Sequence, residues 1–264
     1  MYVIVMTTIW DIVNLKIINR GGSSDFGGGK AKGYHYAYPH PAVATDIVVF
    51  SLREVSKHDK DKKLLHVLLI KRGQAPYKGE WALPGGFVNP KETLDQCAKR
   101  ELTEETGFVV LEPKQFAIYS IPGRDPREWV ISVAYVALAF SDEIELRADT
   151  DAAQAQWFRV DKLPKLAFDH DKILQDGVEY IRSWVDRDIL PLLAFLKDRD
   201  CFTLPELYGI YVAVKGQDLD KANFWRRIKG KEGMIVPITE GNGVKAKESG
   251  VKHRPAQFYK ALWS

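Results

Sequence analysis

The stretch that decides the fold of this chain is residues 86–108, which read GFVNPKETLDQCAKRELTEETGF. A Gly-rich turn at residues 84–86 leads into it, and the pattern that follows predicts a helix over about residues 91–106. Gly107 can end that helix in the left-handed conformation, which a glycine adopts at little steric cost.

The predicted helix carries three carboxylates on one face. Glu101, Glu104 and Glu105 stand at positions i, i+3 and i+4, so they lie within about a third of the helix circumference. Like charges at this spacing repel, and carboxylates near a helix C-terminus oppose the macrodipole. A divalent cation such as Mg²⁺ or Mn²⁺ would offset that cost, because these ions prefer carboxylate and carbonyl oxygens. The alternative is an acidic face that is only solvated.

The spacing around these carboxylates resembles the Nudix box at every specified position. From Gly86, five residues lead to Glu92 and seven more lead to Arg100. The box is completed by Glu101, Leu102, Glu104, Glu105, Gly107 and Phe108. The chain is therefore identified as a member of the Nudix hydrolases.

The resemblance implies a role for several residues of the box. Glu101 and Glu105 become the leading metal ligands, and Glu104 becomes an additional one. The backbone carbonyl of Gly85 or Gly86 completes the implied coordination. By the same resemblance, Arg100 and Glu92 orient the loop and the helix through an ion pair.

The reaction implied by the family is hydrolysis of a nucleoside diphosphate that is linked to another moiety. Water attacks a phosphorus atom, which requires neutralisation of phosphate charge and activation of the water. A catalytic base in this family often lies outside the box, and Asp149 and Asp151 are the candidates here. An exposed polar turn is the alternative for both. The candidate catalytic residues are Glu101, Glu104, Glu105, Asp149 and Asp151.

Further stretches are similar to a narrower group, the ADP-ribose pyrophosphatases and the Nudix-related transcription regulators that share their architecture. They cover residues 38–43, 71–73, 81–88, 123–127 and 166–170. Guanidinium groups bind phosphate bidentately, so the arginines of these stretches are candidate diphosphate or ribose contacts, with a solubilising surface role as the alternative. The candidate substrate-binding residues are Arg72, Gly86, Phe87, Arg124 and Arg127.

Three other side chains in or beside these stretches have two possible roles each. Phe87 and Trp129 could stack on an adenine, although aromatic residues in such strands more often belong to the core. His170 could be a base, but we expect it to make a structural hydrogen bond at the start of a helix.

The order of predicted elements indicates an α+β fold. Strands are expected at residues 44–52 and 64–71, as an antiparallel pair with a charged connection at 54–63. Further strands are expected at 116–120, 130–140 and 156–160, followed by a helix at 169–187. Strands, one helix, more strands and then helices predict a sandwich, which the resemblance specifies as a Nudix α/β/α sandwich.

The C-terminal part has the outline of a winged helix. Helices are predicted at about residues 205–215 and 220–229, followed by a hairpin at 234–239 and 257–262. The expected domains are an N-terminal extension at 1–35, the Nudix domain at 36–187, a linker at 188–200 and a small winged-helix-like domain at 201–264.

The tail is also basic. Residues 215–264 contain 11 Lys and Arg against 5 Asp and Glu, whereas the whole chain carries only +3. The tail resembles the winged helix of the Nudix-related regulators, whose second helix would enter a DNA major groove. The alternative is a domain that only packs on the Nudix core or supports a dimer. The DNA-contact candidates are Lys221, Asn223, Arg226, Arg227 and Lys229, with Lys245, Lys247, Lys252 and Arg254 on the wing.

Composition excludes several classes of protein. Hydrophobic residues make up 45% and charged residues 28%, which is typical of a globular protein, and no run is long enough to span a membrane. The first 20 residues lack the basic start of a signal peptide. Two cysteines about a hundred residues apart form neither a disulfide framework nor a zinc cluster, so we expect a cytoplasmic protein.

Two functions fit this sequence. The first is a Mg²⁺- or Mn²⁺-dependent hydrolase that cleaves ADP-ribose or a related nucleoside diphosphate derivative. The second is a transcription regulator that binds DNA and senses ADP-ribose, a nucleotide or a sugar. The chain retains every box carboxylate, and hydrolysis needs them more than binding does, so we favour the enzyme. We expect a homodimer in either case.

Overall fold

The computed structural model describes residues 36–56, 59–107, 112–139, 152–217, 220–229, 234–238 and 257–262. Two compact units divide the chain, Met1–Pro41 and Ala42–Ser264. In the first unit the described residues are 36–41, where the rings of Tyr36 and Tyr38 are exposed. The extension predicted at 1–35 lies outside the described residues.

A seven-stranded mixed sheet forms the centre of the second unit. Its main path is β3 (Trp81–Ala82), β2 (Asp59–Arg72), β1 (Ala42–Ser56), β6 (Val130–Ala139) and β5 (Lys114–Tyr119). Strand β4 (Gly85–Phe87) pairs with β1, and β7 (Ala152–Arg159) pairs with β2. β1 runs antiparallel to β2, as predicted, and parallel to β6.

The β1–β2 hairpin is longer than its hydrophobic residues indicate. The charged segment predicted as a connection at 54–63 is mostly paired strand, because β1 continues to Ser56 and β2 begins at Asp59. In this register Glu54 lies opposite Lys63. Opposite charges at directly paired positions stabilise a sheet, so the polar residues extend the hairpin.

Helices cover both faces of the sheet, because side chains alternate along each strand. On one face Ile47 and Val49 pack with Leu102 of α1 (Leu94–Thr106). On the other face Val48 and Phe50 share a cluster with the buried residues of α2 (His170–Arg187). The predicted α/β/α sandwich is confirmed.

Local signals set the ends of α1. Thr93 caps the helix in a reciprocal capping box with Gln96, and Gly107 ends it with a φ of 69°. The helix begins three residues later than predicted, since Lys91 adopts a φ of 83°, which lies outside the right-handed helical region.

The C-terminal elements form the predicted pair of helices with a small sheet. They are α3 (Leu190–Ala194), β8 (Phe202–Thr203), α4 (Leu204–Lys215), α5 (Lys221–Lys229), β9 (Ile235–Pro237) and β10 (Phe258–Ala261). The strands form a sheet in the order β8-β10-β9. This arrangement of two helices and a wing confirms the winged-helix prediction.

The segment expected as a linker at 188–200 is packed. It contains α3, whose Leu192 and Leu193 are buried, and the buried Phe195 follows directly. These side chains belong to the cluster that joins the sheet, α2 and the winged helix. Burying this apolar surface keeps the segment against both neighbours. Among the described helices, none is long and apolar enough to cross a membrane.

Replacing Leu192 by Ala tests whether this segment supports the fold. The side chain is fully buried, so we expect the free energy of unfolding to fall by about 2–5 kcal/mol. The exposed Asp200 of the same segment is the control, and Asp200→Ala should change stability by no more than about 0.5 kcal/mol. Urea unfolding curves measure both values, and equal small effects would show that the segment is only a connection.

Candidate functional site

A cleft with about 450 Å³ of empty space opens at one end of the sheet. β1, β2, β4, the loop at residues 121–129 and the start of α2 supply its walls. All five predicted substrate-binding residues line it, namely Arg72, Gly86, Phe87, Arg124 and Arg127. Trp129 is not among the described residues that line the cleft, and its ring is half exposed.

The Gly85–Gly86 turn joins this cleft to the acidic helix. Gly85 has a φ of 154°, and a Cβ there would collide with the carbonyl oxygen of Thr45 on β1. A Cβ on Gly86 would collide with the carboxylate of Glu101 on α1. Gly85 must therefore be glycine for β4 to lie beside β1, whereas a side chain at Gly86 would displace the Glu101 carboxylate.

The three box carboxylates share a helix face but have different partners. Glu105 accepts a hydrogen bond from the backbone N–H of Gly85 at 2.9 Å. Glu101 and Glu104 accept from Arg100 at 2.7 Å and 3.0 Å. With the carboxylates placed in this way, the described part of the chain contains no group of three or more His, Cys, Asp or Glu that could hold a metal ion.

The donor chemistry of this face nevertheless fits a divalent cation. Burial raises the pKa of Glu105 to about 8, and the neighbouring Glu101 carboxylate adds to the effect. Burial also raises the pKa of Glu101, against the lowering effect of Arg100. The charge of the surrounding side chains therefore does not offset the desolvation of these two carboxylates, and a hard cation would do so once Arg100 releases Glu101.

Arg100 holds the loop before α1 against the helix. Its guanidinium donates to Glu92 at 2.7 Å and 3.0 Å, and to the carbonyl oxygen of Phe87 at 3.2 Å. Hydrogen bonding to Arg100 lowers the pKa of Glu92 to about 2, so that carboxylate stays ionised. The ion pair implied by the resemblance is present.

One wall of the cleft alternates aromatic rings with guanidinium groups. The Arg127 guanidinium lies 5.0 Å from the ring centre of Phe87 and 5.6 Å from that of Phe168. Arg72 lies 4.8 Å from Phe168 on the same wall. Stacking of this kind restrains each guanidinium while leaving its N–H edge available.

The two stacked arginines differ in how their charge is offset. Arg127 makes a bidentate pair with Asp125, in which the shortest distance is 2.7 Å. Arg72 donates to the carbonyl oxygen of Pro76 at 2.8 Å. Among the described residues, no carboxylate lies within ion-pair distance of Arg72. An anionic ligand in the cleft would give Arg72 a direct charge partner.

Arg124 differs from both because it is buried in an ion-pair network. Its guanidinium contacts Asp169 at 2.7 Å and Asp46 at 3.2 Å, and its side chain is 6% exposed. The side chain borders the cleft, but two carboxylates already bind its N–H groups. Its geometry fits a residue that positions the loop at 121–129 against β1 and α2.

His170 lies next to the ion-pair network of Arg124, because both side chains contact Asp46. The backbone N–H of Leu83 donates to its Nδ1 at 2.9 Å, so the proton is on Nε2, which lies 3.3 Å from Asp46. Burial lowers the pKa of His170, which favours the neutral ring. This arrangement is the structural hydrogen bond expected from its position at a helix start.

The cleft residues that the sequence analysis did not propose include Asp46, Asp125 and Phe168. A lone carboxylate inside the apolar strand β1 was an available signal for Asp46. Phe168 has a φ of 55°, which no local sequence pattern indicates for a phenylalanine. The predicted bases Asp149 and Asp151 lie outside the described residues, as does Phe108 of the box.

The second helix of the winged helix presents three of the five predicted DNA contacts to solvent. Lys221, Asn223 and Arg226 are exposed on α5. Arg227 instead faces α2, where its guanidinium lies 3.3 Å from Asp186, and its contact with DNA stays a prediction. The side chain of Lys229 and the four wing residues Lys245, Lys247, Lys252 and Arg254 are outside the described part.

Comparison with known families agrees with this geometry. The family described as "NUDIX domain" matches residues 46–177, half of the chain. The chain belongs to the Nudix family. A second family, "NrtR DNA-binding winged helix domain", matches residues 199–261. The order of a Nudix domain followed by a winged helix, predicted from the sequence, is thus confirmed.

Relatives of this Nudix protein fall into both functional groups. It is 44% identical over 143 residues to an ADP-ribose pyrophosphatase of Methanocaldococcus jannaschii, covering 54% of this chain and 76% of that protein. It is 33% identical over 231 residues to an ADPR responsive transcriptional repressor, NtrR, of Acinetobacter baylyi, covering 84% of this chain and 83% of that protein.

A solved structure shows the same two-part architecture. Shewanella oneidensis NrtR, crystallised with a 27mer DNA, superposes with a TM-score of 0.63 at 26% identity. The match covers 83% of this chain and 93% of that one, so it includes the winged helix as well as the Nudix domain.

Replacing Gly85 by Ala tests the close approach of this turn. The Cβ would meet the β1 backbone at Thr45, so we expect a larger loss of stability than the left-handed conformation alone would cause. Gly79 is the matched control, because it has a φ of 85° with nothing within 4 Å of its Cβ position. Gly79→Ala should cost about 1–2 kcal/mol in urea unfolding. Equal costs for the two variants would contradict the proposed packing.

Proposed function

We propose that this Nudix protein hydrolyses the diphosphate of ADP-ribose or of a related nucleoside diphosphate derivative, with Mg²⁺ or Mn²⁺ as cofactor. The observation that carries the proposal is the Gly85–Gly86 turn, which connects the complete set of box carboxylates to a cleft with a positively charged wall. The name of the M. jannaschii relative, ADP-ribose pyrophosphatase, supports the choice of substrate.

The arginine wall supports a diphosphate group as the bound moiety. A phosphate would supply the anionic partner that Arg72 lacks among the described residues, and it would compete with Asp125 for Arg127. Both guanidinium groups are already held by Phe168, so less conformational entropy is lost when they bind. The rings of Phe87 and Phe168 offer apolar surface to the nucleoside.

The acidic face supports metal assistance. Glu101, Glu104, Glu105 and the backbone carbonyl of Gly85 would hold the cation, which when bound neutralises phosphate charge and lowers the pKa of a water molecule. The chain's own residues prepare this site: the Gly85 N–H orients Glu105, and Arg100 holds the loop against the helix. Asp149 and Asp151 stay predictions for the general base.

Regulation of transcription is a second function that specific observations favour. The NrtR winged-helix family matches the tail, and the A. baylyi relative is named an ADPR responsive repressor. The exposed face of α5 carries Lys221, Asn223 and Arg226, which suit phosphate and base contacts in a major groove. The two functions are compatible, because the cleft and α5 are separate surfaces.

The assembly and the location follow from this second function. Helix-turn-helix proteins that bind DNA as dimers contact two half-sites, and a DNA-binding regulator needs access to the chromosome. The homodimer and the cytoplasmic location therefore stay predictions of the proposal.

Hydrolysis is tested with ADP-ribose and a panel of nucleotide sugars in the presence of Mg²⁺ or Mn²⁺. Glu105→Gln should lower kcat/KM at least about 100-fold, because loss of an electrostatic stabiliser of this kind costs several kcal/mol. Glu179→Gln, an exposed carboxylate on α2, should leave the rate unchanged. EDTA should abolish the wild-type activity. If wild type and Glu105→Gln are equally inactive across the panel, the enzyme proposal fails.

DNA binding is tested by the dependence of affinity on salt. Arg226→Ala should weaken binding to every duplex and reduce the slope of log K against log [salt] by about 1, as expected for a phosphate contact. The control is Lys99→Ala, which removes an equal charge from an exposed position on α1, outside the winged helix. It should leave the slope unchanged. Binding without sequence preference, unaltered by Arg226→Ala, would refute the regulator proposal.

A further inference from the structure

Helix α2 is anchored at the cleft by its first residues. Asp169, which directly precedes the helix, accepts two hydrogen bonds from Arg124, at 2.7 Å and 2.9 Å. Phe168, one residue earlier, stacks against both Arg72 and Arg127. A ligand that moves either arginine, or the loop that contains Arg124, therefore acts on the N-terminal end of α2.

The opposite end of α2 is anchored to the winged helix by one carboxylate. Asp186 accepts a hydrogen bond from Tyr211 at 2.8 Å and an ion pair from Lys215 at 2.6 Å, both on α4. On α5, Arg227 contacts the same carboxylate at 3.3 Å. Asp186 is thus bound by both helices of the winged helix.

Arg227 is held on α5 by aromatic stacking as well as by charge. Its guanidinium lies 4.5 Å from the ring centre of Tyr211 and 5.6 Å from that of Phe224. Its Nη2 is buried and has no hydrogen-bond partner among the described residues. Arg227 and Asp186 also border a small cavity between the end of α2 and α5. The Arg227–Asp186 contact therefore leaves one guanidinium nitrogen of Arg227 without a hydrogen bond, and the cavity lies beside this contact.

We propose that Asp186 is a positioning residue that couples the cleft to the DNA-binding helix, by fixing α5 to the far end of α2 through Arg227. α2 is a continuous helix of 18 residues, so displacement at Asp169 reaches Asp186 without an intervening loop. This inference rests on the proposed function, since it requires a cleft ligand and a DNA ligand.

The backbone at the cleft end of α2 supports such a displacement. Phe168 occupies the left-handed region with a φ of 55°, which is unfavourable for a residue other than glycine. Its surroundings must hold it there, and two of its ring contacts are the arginines expected to bind phosphate. Binding at those arginines changes the forces on the residue next to the helix start.

The experiment measures the coupling between the two ligands. The duplex is one that the wild-type protein selects from a random-sequence library, and the cleft ligand is ADP-ribose without divalent cation, so that it is not hydrolysed. In the wild type, ADP-ribose should change the Kd for the duplex by about 5–150-fold, and the duplex should change the Kd for ADP-ribose by the same factor. Fluorescence anisotropy and calorimetry measure the two sides of this cycle.

The variants distinguish loss of coupling through Asp186 from a general destabilisation of the contacts between α2 and the winged helix. In Asp186→Asn and in Arg227→Gln, ADP-ribose should alter the duplex Kd by less than about twofold, while the affinity for ADP-ribose without DNA is unchanged. The double variant should show the same coupling as either single one, because the Asp186–Arg227 contact is lost in all three. The control is Arg182→Gln, which removes another contact between α2 and α4, the hydrogen bond to Val214 O, and should keep the coupling.

The outcomes distinguish failure of this inference from failure of the proposed function. If the wild type selects no duplex or does not bind ADP-ribose, the proposed function fails and the coupling fails with it. If the wild type shows coupling and folded Asp186→Asn and Arg227→Gln retain it in full, the role of Asp186 is refuted alone. Loss of coupling in Arg182→Gln as well would refute the specific contact in favour of interface stability. Circular dichroism melts establish that each variant is folded.

Discussion

The backbone of Gly85 and Gly86 passes between β1 and α1, and at neither residue is there space for a Cβ. This close approach sets the position of the Gly85 N–H, which in turn orients the buried carboxylate of Glu105. It also places β4 beside β1, where Phe87 can reach the cleft and stack with Arg127. The acidic face of α1 and the arginine wall become parts of one site because Gly85 approaches the β1 backbone and Gly86 leaves the Glu101 carboxylate in place.

Charge in this site is distributed unequally between two sides. On the helix side, burial raises the pKa of Glu101 and Glu105, so negative charge there is incompletely offset. On the cleft wall, Arg72 has no carboxylate within ion-pair distance among the described residues. Arg124, in contrast, is offset by Asp46 and Asp169. A ligand that brings together a cation and phosphate groups would satisfy both sides, which is the physical case for a metal-bound diphosphate.

The winged helix is not an independent appendage of the Nudix domain. One hydrophobic cluster runs from the sheet through α2 and α3 to α4 and α5. The polar contacts of Asp186 lie at the edge of that cluster and join the same elements. Close-packed interiors transmit strain, so the shared core connects the cleft mechanically to α5.

The amino-acid sequence by itself determined the family, the order of elements and the residues of the box, because these depend on local spacing. A helix with carboxylates at i, i+3 and i+4, capped by Gly107, is readable from neighbouring residues alone. Runs of apolar residues likewise predicted the main strands, and the order of elements predicted the sandwich.

Only the tertiary structure decided which charged residues are free to act. Arg72, Arg124 and Arg127 are equivalent in sequence, but contacts with Asp46, Asp125, Asp169 and Phe168 give each a different environment. The sequence does not distinguish Arg227 from Arg226. In the structure Arg227 contacts Asp186, which lies 41 residues away on α2. Such partners are distant along the chain, so burial and pairing emerge only when the sheet, α2 and the winged helix have packed together.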